Sequence, residues 1–277
     1  IVHVGDATQL DDWVADVPAT ARALAAACWP GPLTILLDRD PSVSDVVTGG
    51  RPTIAVRVPN HPDTLAILRA FGGGVAAPSA NRFGRVSPTT ADHVRADLGD
   101  DVELVVDGGP CTVGVESTIV DCTGAVPVVL RVGAITAEMV ADIVGTPVDV
   151  ATSSSSASSG SSAETGARAP GMLASHYAPD ARVVVVESSS AALDALRTEL
   201  AADRGPVGLL APSVLDGVPD GVVELEPAGP PEDYASVLYA RLRQADRLGL
   251  ACLVCVPPPS IGVGVAVRDR LGRAAVR

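Results

Sequence analysis

Four short stretches carry polar side chains at spacings that chemistry could use. In Thr53-Ile-Ala-Val-Arg57, period-two alternation sends Ile54, Val56 and Val58 to one face of a strand and Thr53, Ala55 and Arg57 to the other. An Arg and a Thr sharing a strand face either meet solvent or receive a carboxylate by a two-pronged, charge-assisted contact. Ala77-Pro-Ser-Ala-Asn81 follows a short apolar strand and runs into Arg82-Phe-Gly-Arg-Val-Ser-Pro88. Hydroxyl and amide groups thus fall at a strand terminus, where α/β proteins bind ligands, although a plain turn accounts for the same residues. In Gly114-Val-Glu-Ser-Thr118 the face carrying Val115, Ser117 and Ile119 sets a hydroxyl among apolar neighbours, bonded to backbone or offered to a ligand. Leu130-Arg131-Val-Gly133 closes an apolar strand with a charge, which a rim position explains as well as an anion contact. His3, His61, His93 and His176 are scattered, and none belongs to an H-x-x-x-H or H-E-x-x-H helix. No Ser/His/Asp triad suggests itself, so no catalytic residue and no metal ligand is assigned. Lysine is absent and there is no G-x-x-x-x-G-K-[ST] loop, so any nucleotide is held outside the P-loop scheme.

The elements that must position these groups follow from periodicity. Leu10 to Val17 and Ala19 to Cys28 read as helices broken at Pro18, the first opening at Thr8, where Thr-Gln-Leu-Asp has capping-box spacing. Leu33 to Leu37 and Thr53 to Val58 read as strands, Pro62 to Ala70 as a helix and Gly74 to Ala77 as a short strand. A second capping box, Thr89-Thr-Ala-Asp92, opens a helix to about Leu98. Glu103 to Asp107, Val115 to Asp121 and Val128 to Arg131 are β-branched runs between glycine turns, followed by a helix from Thr136 to Val144. Ala151 to Arg168 is a Ser/Gly/Ala stretch without periodicity, the composition of a flexible linker. Beyond it, strand-like runs at Arg182 to Glu187, Val207 to Leu210, Val222 to Leu225 and Leu250 to Val256 alternate with helical patterns at 190–202 and 232–247. That alternation predicts a smaller α/β domain with a largely parallel sheet.

Composition bounds the function. The 277 residues are 47% hydrophobic and 19% charged, enough to fold, and the length suits about two domains. Arginine supplies all 20 basic residues against 33 acids, for a net charge of −13, which argues against strong direct binding of nucleic acid. Apolar runs fall short of the roughly 18 residues of a membrane helix, and the first residues do not read as a signal peptide. Five cysteines, an odd number in a chain too large to need disulfide staples, fit a reducing cytoplasm. Cys252 and Cys255 sit in an apolar run that places them on opposite strand faces, so they read as buried core.

Taken in order, His3 in Ile-Val-His-Val, Trp29-Pro-Gly-Pro-Leu-Thr34, Val56-Arg-Val-Pro-Asn-His-Pro62, Ala77-Pro-Ser-Ala-Asn81, Ser87-Pro-Thr89, Asp107-Gly-Gly109, Gly114-Val-Glu-Ser-Thr118 and Leu130-Arg-Val-Gly133 resemble the L-threonylcarbamoyladenylate synthases, the YrdC-like family. Ala169-Pro-Gly-Met172 and His176-Tyr-Ala-Pro179, with a small α/β domain after them, resemble the long two-domain form. The resemblance runs from residue 1 almost to 277. It implies an α/β fold: a twisted mixed-sheet YrdC-like domain over 1–148, a linker and active-site lid over 149–180, and a Rossmann-like C-terminal domain over 181–277.

The implied reaction joins threonine, bicarbonate or CO2 and ATP into threonylcarbamoyl-AMP and pyrophosphate, assisted by Mg2+. Its product serves threonylcarbamoyl-adenosine modification of tRNA, through a downstream tRNA threonylcarbamoyl-transferase machinery. Carried over position by position, His3, Arg57, Ala77 and Ser117 would hold threonine. Thr53, Ser79, Asn81, Ser87, Arg131 and Tyr177 would contact ATP, Tyr177 reaching it from the lid. The family also carries an N-terminal Pro-Thr-x-Thr-x-Tyr-Gly-Leu-like stretch and a Lys-x-Arg motif; neither occurs here, so the sequence reads as lacking its N-terminal segment. Two other readings are carbamoyl transfer from carbamoyl phosphate and a non-catalytic RNA-binding or regulatory module.

Overall fold

The computed structural model describes residues 1–151 and 177–276. Its first elements are β1 (Val2–His3), α1 (Ala19–Cys28), β2 (Leu33–Asp38), α2 (Asp45–Thr48), β3 (Thr53–Arg57), α3 (Pro62–Phe71) and β4 (Val75–Ala76). Then come α4 (Ala91–Leu98), β5 (Thr118–Asp121), β6 (Val128–Arg131), α5 (Ala137–Val144) and β7 (Asp149–Val150). The remainder is β8 (Arg182–Val185), α6 (Ser189–Ala201), β9 (Val207–Leu210), β10 (Val222–Glu224), α7 (Pro231–Arg247), β11 (Cys252–Cys255) and α8 (Gly264–Ala275). Contacts divide the chain into one unit of Ile1–Pro78 with Glu116–Met172 and another of Ser79–Val115 with Leu173–Arg277. Most of the expected linker and lid, His176 included, lies outside the described residues.

The first unit is built on a mixed sheet in the order β4-β1-β3-β2-β5-β6-β7. Pairs β1–β3, β2–β5 and β6–β7 are parallel, and β1–β4, β2–β3 and β5–β6 antiparallel. One face is apolar: Val2 and Val4, Ile54 and Val56, Ile35 and Leu37, and Val120 and Val129 join one core cluster. Helix α1 adds Ala21, Leu24, Ala25 and Cys28 to that cluster, the three-and-four spacing that puts one stripe of a helix on the core. Leu24 is fully buried, so Leu24→Ala costs about 2 to 5 kcal/mol. The opposite face carries a smaller cluster of Leu36, Ile119 and Leu130, leaving room for polar residues beside it.

The helix expected from Leu10 is instead a 3-10 turn, Ala7–Asp12. Its capping box sits two residues earlier than read: Asp6 accepts from Thr8 N and the Gln9 side chain reaches back to the cap backbone. Tertiary pairing then draws Val14 into a bridge with Arg39, which ends the turn before a helix can grow. In place of the second expected capping box there is a single cap one residue later, Thr90 accepting from His93 N at the start of α4. Glu103 to Asp107 forms no strand; Leu104 and Val106 are 76% and 59% exposed there. β-branched composition makes a strand only where a neighbour supplies the ladder, and none pairs with this run.

The second unit holds a sheet in the order β10-β9-β11-β8, parallel throughout. Its central strands β9 and β11 are buried throughout, with Leu209, Cys252 and Val254 on the side that α6 covers with Ala192 and Leu196. Cys252 and Cys255 are buried in β11, and burial pushes both thiols up, so they behave as small apolar residues. Helix α8 lies outside the elements that sequence periodicity predicts. Of its buried positions only Val267 and Leu271 are large and apolar; Gly264, Ala266, Ala274 and Arg270 fill the rest, so its pattern is faint. Among the described residues no helix is long and apolar enough to cross a membrane.

Candidate functional site

The sheet of the first unit gathers its candidate residues from neighbouring strands. The parallel pairing of β1 with β3 puts His3 directly beside Arg57, and β1 also pairs with β4, whose end leads into Ala77. Because Ile54 and Val56 point into the core, Thr53, Ala55 and Arg57 occupy the other face, half-buried. This face is half-buried rather than fully solvated. Arg57 Nε donates to Gly31 O at 2.8 Å, so the Trp29-to-Thr34 loop fixes the guanidinium. Burial and the Arg57 charge push the His3 pKa down to about 4. His3 is therefore a neutral imidazole near neutrality, and Arg57 is the cation of the pair.

A second polar centre lies one strand further. Ser117, 3% exposed, sits just before β5; its Oγ is 2.8 Å from Thr34 Oγ1. Arg131, 7% exposed, donates from Nε to Ser117 O and from Nη2 to Ser117 Oγ, each at 3.0 Å. Strict alternation from Val129 would aim Arg131 into the apolar core. A register shift between β5 and β6 pairs Ile119 with Arg131 and Val120 with Val129, so Leu130 is the extra residue of a bulge. The bulge turns Arg131 onto the face of Ile119 and Ser117. Gly133 makes the same turn possible, since a Cβ there would stand 2.6 Å from both Glu116 O and Thr118 N. Thr118 Oγ1 closes the loop by donating to Ile135 O at 2.6 Å. Thr34, the last residue of the Trp29-to-Thr34 motif, also belongs to this centre: it is 0% exposed and bonded to Ser117, and only the structure brings the two together.

The second unit places Ser79, Asn81, Ser87 and Tyr177. Ser79 is exposed, next to Ala80 with φ at 55°. Asn81 Nδ2 donates to Arg82 O at 2.9 Å and Arg85 O at 3.0 Å, which staples the loop after it. Both amide hydrogens being used that way fixes the amide orientation, and Oδ1 is buried without a partner among the described residues. Ser87 is 6% exposed. Tyr177 is 1% exposed, its ring 5.5 Å from that of Tyr239 and 5.4 Å from the Arg270 guanidinium. In this conformation its ring is a packed anchor, not an open surface for a base.

Among the described residues no three His, Cys, Asp or Glu side chains converge as a metal cage. Mg2+ commonly rides on substrate phosphates and water with few protein ligands, so the donors present are compatible only with that mode.

Residues 1–133 match the family profile described as telomere recombination, and residues 135–276 that described as threonylcarbamoyl-AMP synthase, C-terminal domain. The chain is 37% identical over 278 residues to the threonylcarbamoyl-AMP synthase of Bacillus subtilis (strain 168), covering 99% of this chain and 78% of that protein. It is 36% identical over 275 residues to that of Pyrococcus abyssi (strain GE5 / Orsay), covering 99% and 79%. The crystal structure of P. abyssi Sua5 complexed with L-threonine matches with a TM-score of 0.87 at 34% identity, over 99% of this chain and 79% of that one. Both in sequence and in fold, the chain belongs to the threonylcarbamoyl-AMP synthase family.

Proposed function

We propose that the chain makes L-threonylcarbamoyl-AMP from L-threonine, bicarbonate or CO2 and ATP, releasing pyrophosphate, for threonylcarbamoyl-adenosine modification of tRNA. The observation that carries this reading is the pairing of neutral His3 with the loop-held Arg57 on adjacent strands, one strand from the Ser117–Thr34–Arg131 centre. Arg57 partners the threonine carboxylate, and His3, Ser117 and the main chain at Ala77 hold the rest of the amino acid. Thr53, Ser79, Asn81, Ser87 and Arg131 hold ATP, with the buried Asn81 Oδ1 suited to accept from a nucleotide hydroxyl. Tyr177 supports the nucleotide side as an anchor of its own segment.

The threonine amine adds to CO2, giving a carbamate and losing a proton; with bicarbonate the same step releases water. A carbamate oxygen then attacks the α-phosphorus of ATP, forming the mixed anhydride as pyrophosphate leaves. The groups present neutralise charge and orient substrates, which this chemistry needs more than a protein nucleophile. Mg2+ supplies further charge neutralisation on the triphosphate when bound. In this reading 1–148 is the catalytic domain, 181–277 the C-terminal domain and 149–180 their connection; the protein works in the cytoplasm, handing its product to a tRNA-directed transferase. Pyrophosphate release is the test. Release that requires both threonine and bicarbonate is expected; ATP turnover indifferent to threonine would sink the proposal.

A further inference from the structure

Helix α7 belongs to the C-terminal family segment, yet within the second unit its Arg243 grips the loop that carries Ser87. The guanidinium is 12% exposed and forks onto Asp97 of α4, Nη1 to Oδ1 at 3.0 Å and Nη2 to Oδ2 at 2.6 Å. It also donates from Nη2 to Val86 O and from Nε to Ser87 O, the latter at 3.4 Å. Those two carbonyls belong to the peptide groups on either side of Ser87. Holding both peptide planes fixes the Ser87 backbone, and with it the direction of its side chain.

We propose that Arg243 is a positioning residue for the nucleotide loop, setting Ser87 from the C-terminal segment by clamping its two flanking carbonyls. The proposal rests on the reading of Ser87 as an ATP contact. Neighbouring contacts tie the same loop to the segment just before β8: Ala178 N donates to Gly84 O at 3.2 Å, and Arg85 pairs with Asp180 at 2.5 Å. Gly114 lies so close that a Cβ there would meet Ala235 O of α7 at 2.1 Å. A cavity of about 330 Å³ lined by Arg85, His93, Asp97, Arg243 and Arg247 runs beside the clamp, so the loop has space to shift when the clamp is weakened. Only a planar fork reaches a carboxylate and two carbonyls at once; lysine keeps the charge opposite Asp97 and loses the grip. Asp97 in turn compensates a guanidinium that would otherwise be buried unpaired.

Steady-state kinetics of the full chain and its variants test this, with ATP affinity measured in parallel by calorimetry. Arg243→Lys is expected to raise the KM for ATP about five- to tenfold while the KM for threonine stays within about twofold. Asp97→Asn, a second and milder variant, moves the ATP constant in the same direction. Arg241→Lys, which perturbs the Glu226 ion pair on the same helix, leaves both constants unchanged. Ser87→Ala raises the ATP constant, and adding Arg243→Lys to it changes little, because the two act through one side chain. An ATP constant unmoved by Arg243→Lys but raised by Ser87→Ala overturns the clamp alone. Equal losses for ATP and threonine, or full additivity of the pair, show a merely structural arginine and also overturn it. Ser87→Ala that binds ATP like the parent removes the loop from the nucleotide site, and the clamp's role falls with that reading.

Discussion

Arg57 is half-buried, with Nε bonded to Gly31 O, so its position is set before any ligand arrives. Arg57→Ala is expected to weaken threonine binding by roughly 1.5 to 3 kcal/mol, the worth of a charge-assisted bond. Calorimetric titration with threonine reads it, and an unchanged affinity removes Arg57 from the site. Burial, with the same guanidinium adding to it, lowers the pKa of the neighbouring histidine. A His3 pKa of about 4 against an ordinary 6.5 means the unfolded chain takes up this proton first as pH falls. The His3 contribution to stability is therefore full above about pH 6.5, declines below it, and is completely lost once pH has dropped through about 4. Between about pH 7 and about pH 5 the loss is on the order of 2 kcal/mol, and His3→Gln abolishes that part of the slope. Urea unfolding of parent and variant at the two pH values decides it; parallel losses in both would mean that His3 titrates normally.

The β6 bulge and Gly133 act together at the next scale. One extra residue in β6 turns Arg131 toward Ser117, and the missing Cβ of Gly133 lets the following turn lie against Glu116 and Thr118. Gly133→Ala forces those backbones apart and is expected to cost about 1 to 3 kcal/mol, with weaker ATP binding as Arg131 shifts. A Gly133→Ala chain that melts with the parent and binds ATP equally would show that the turn has slack. This device also marks where sequence reading stops. The shared face of Thr53 and Arg57 was legible because period two is unbroken through β3. The aim of Arg131 was not, since a bulge leaves no signature in Val-Val-Leu-Arg and only the register across β5 shows it. Glu103 to Asp107 misled for the opposite reason: its composition suits a strand, but pairing is a property of the partner. Helix α8 is faint in the sequence because a buried Arg270 and small Gly264, Ala266 and Ala274 surround Val267 and Leu271, the two large apolar residues of its buried stripe.

At the scale of the whole molecule, 20 arginines against 33 acids leave a charge of −13, and the structure further spends the cations locally. Arg85 pairs with Asp180, Arg243 with Asp97, Arg182 with Glu199 and Arg268 with Glu187, so these positive groups are shared with carboxylates. With a net charge of −13 and these arginines shared with carboxylates, weak direct binding to a nucleic-acid backbone is the expectation to test. A product that feeds tRNA modification would then leave as a small molecule, not be delivered by a protein bound to the RNA. Electrophoretic titration with tRNA at about 150 mM salt is expected to show no complex tighter than about 1 µM, the range of nonspecific contacts. Lowering the salt should strengthen binding little, because few phosphate-bound counterions are released when few cations reach the backbone. A tight complex with a steep salt dependence would place a basic surface on the chain that the local pairing of its arginines does not provide, and with it a direct hand in tRNA recognition.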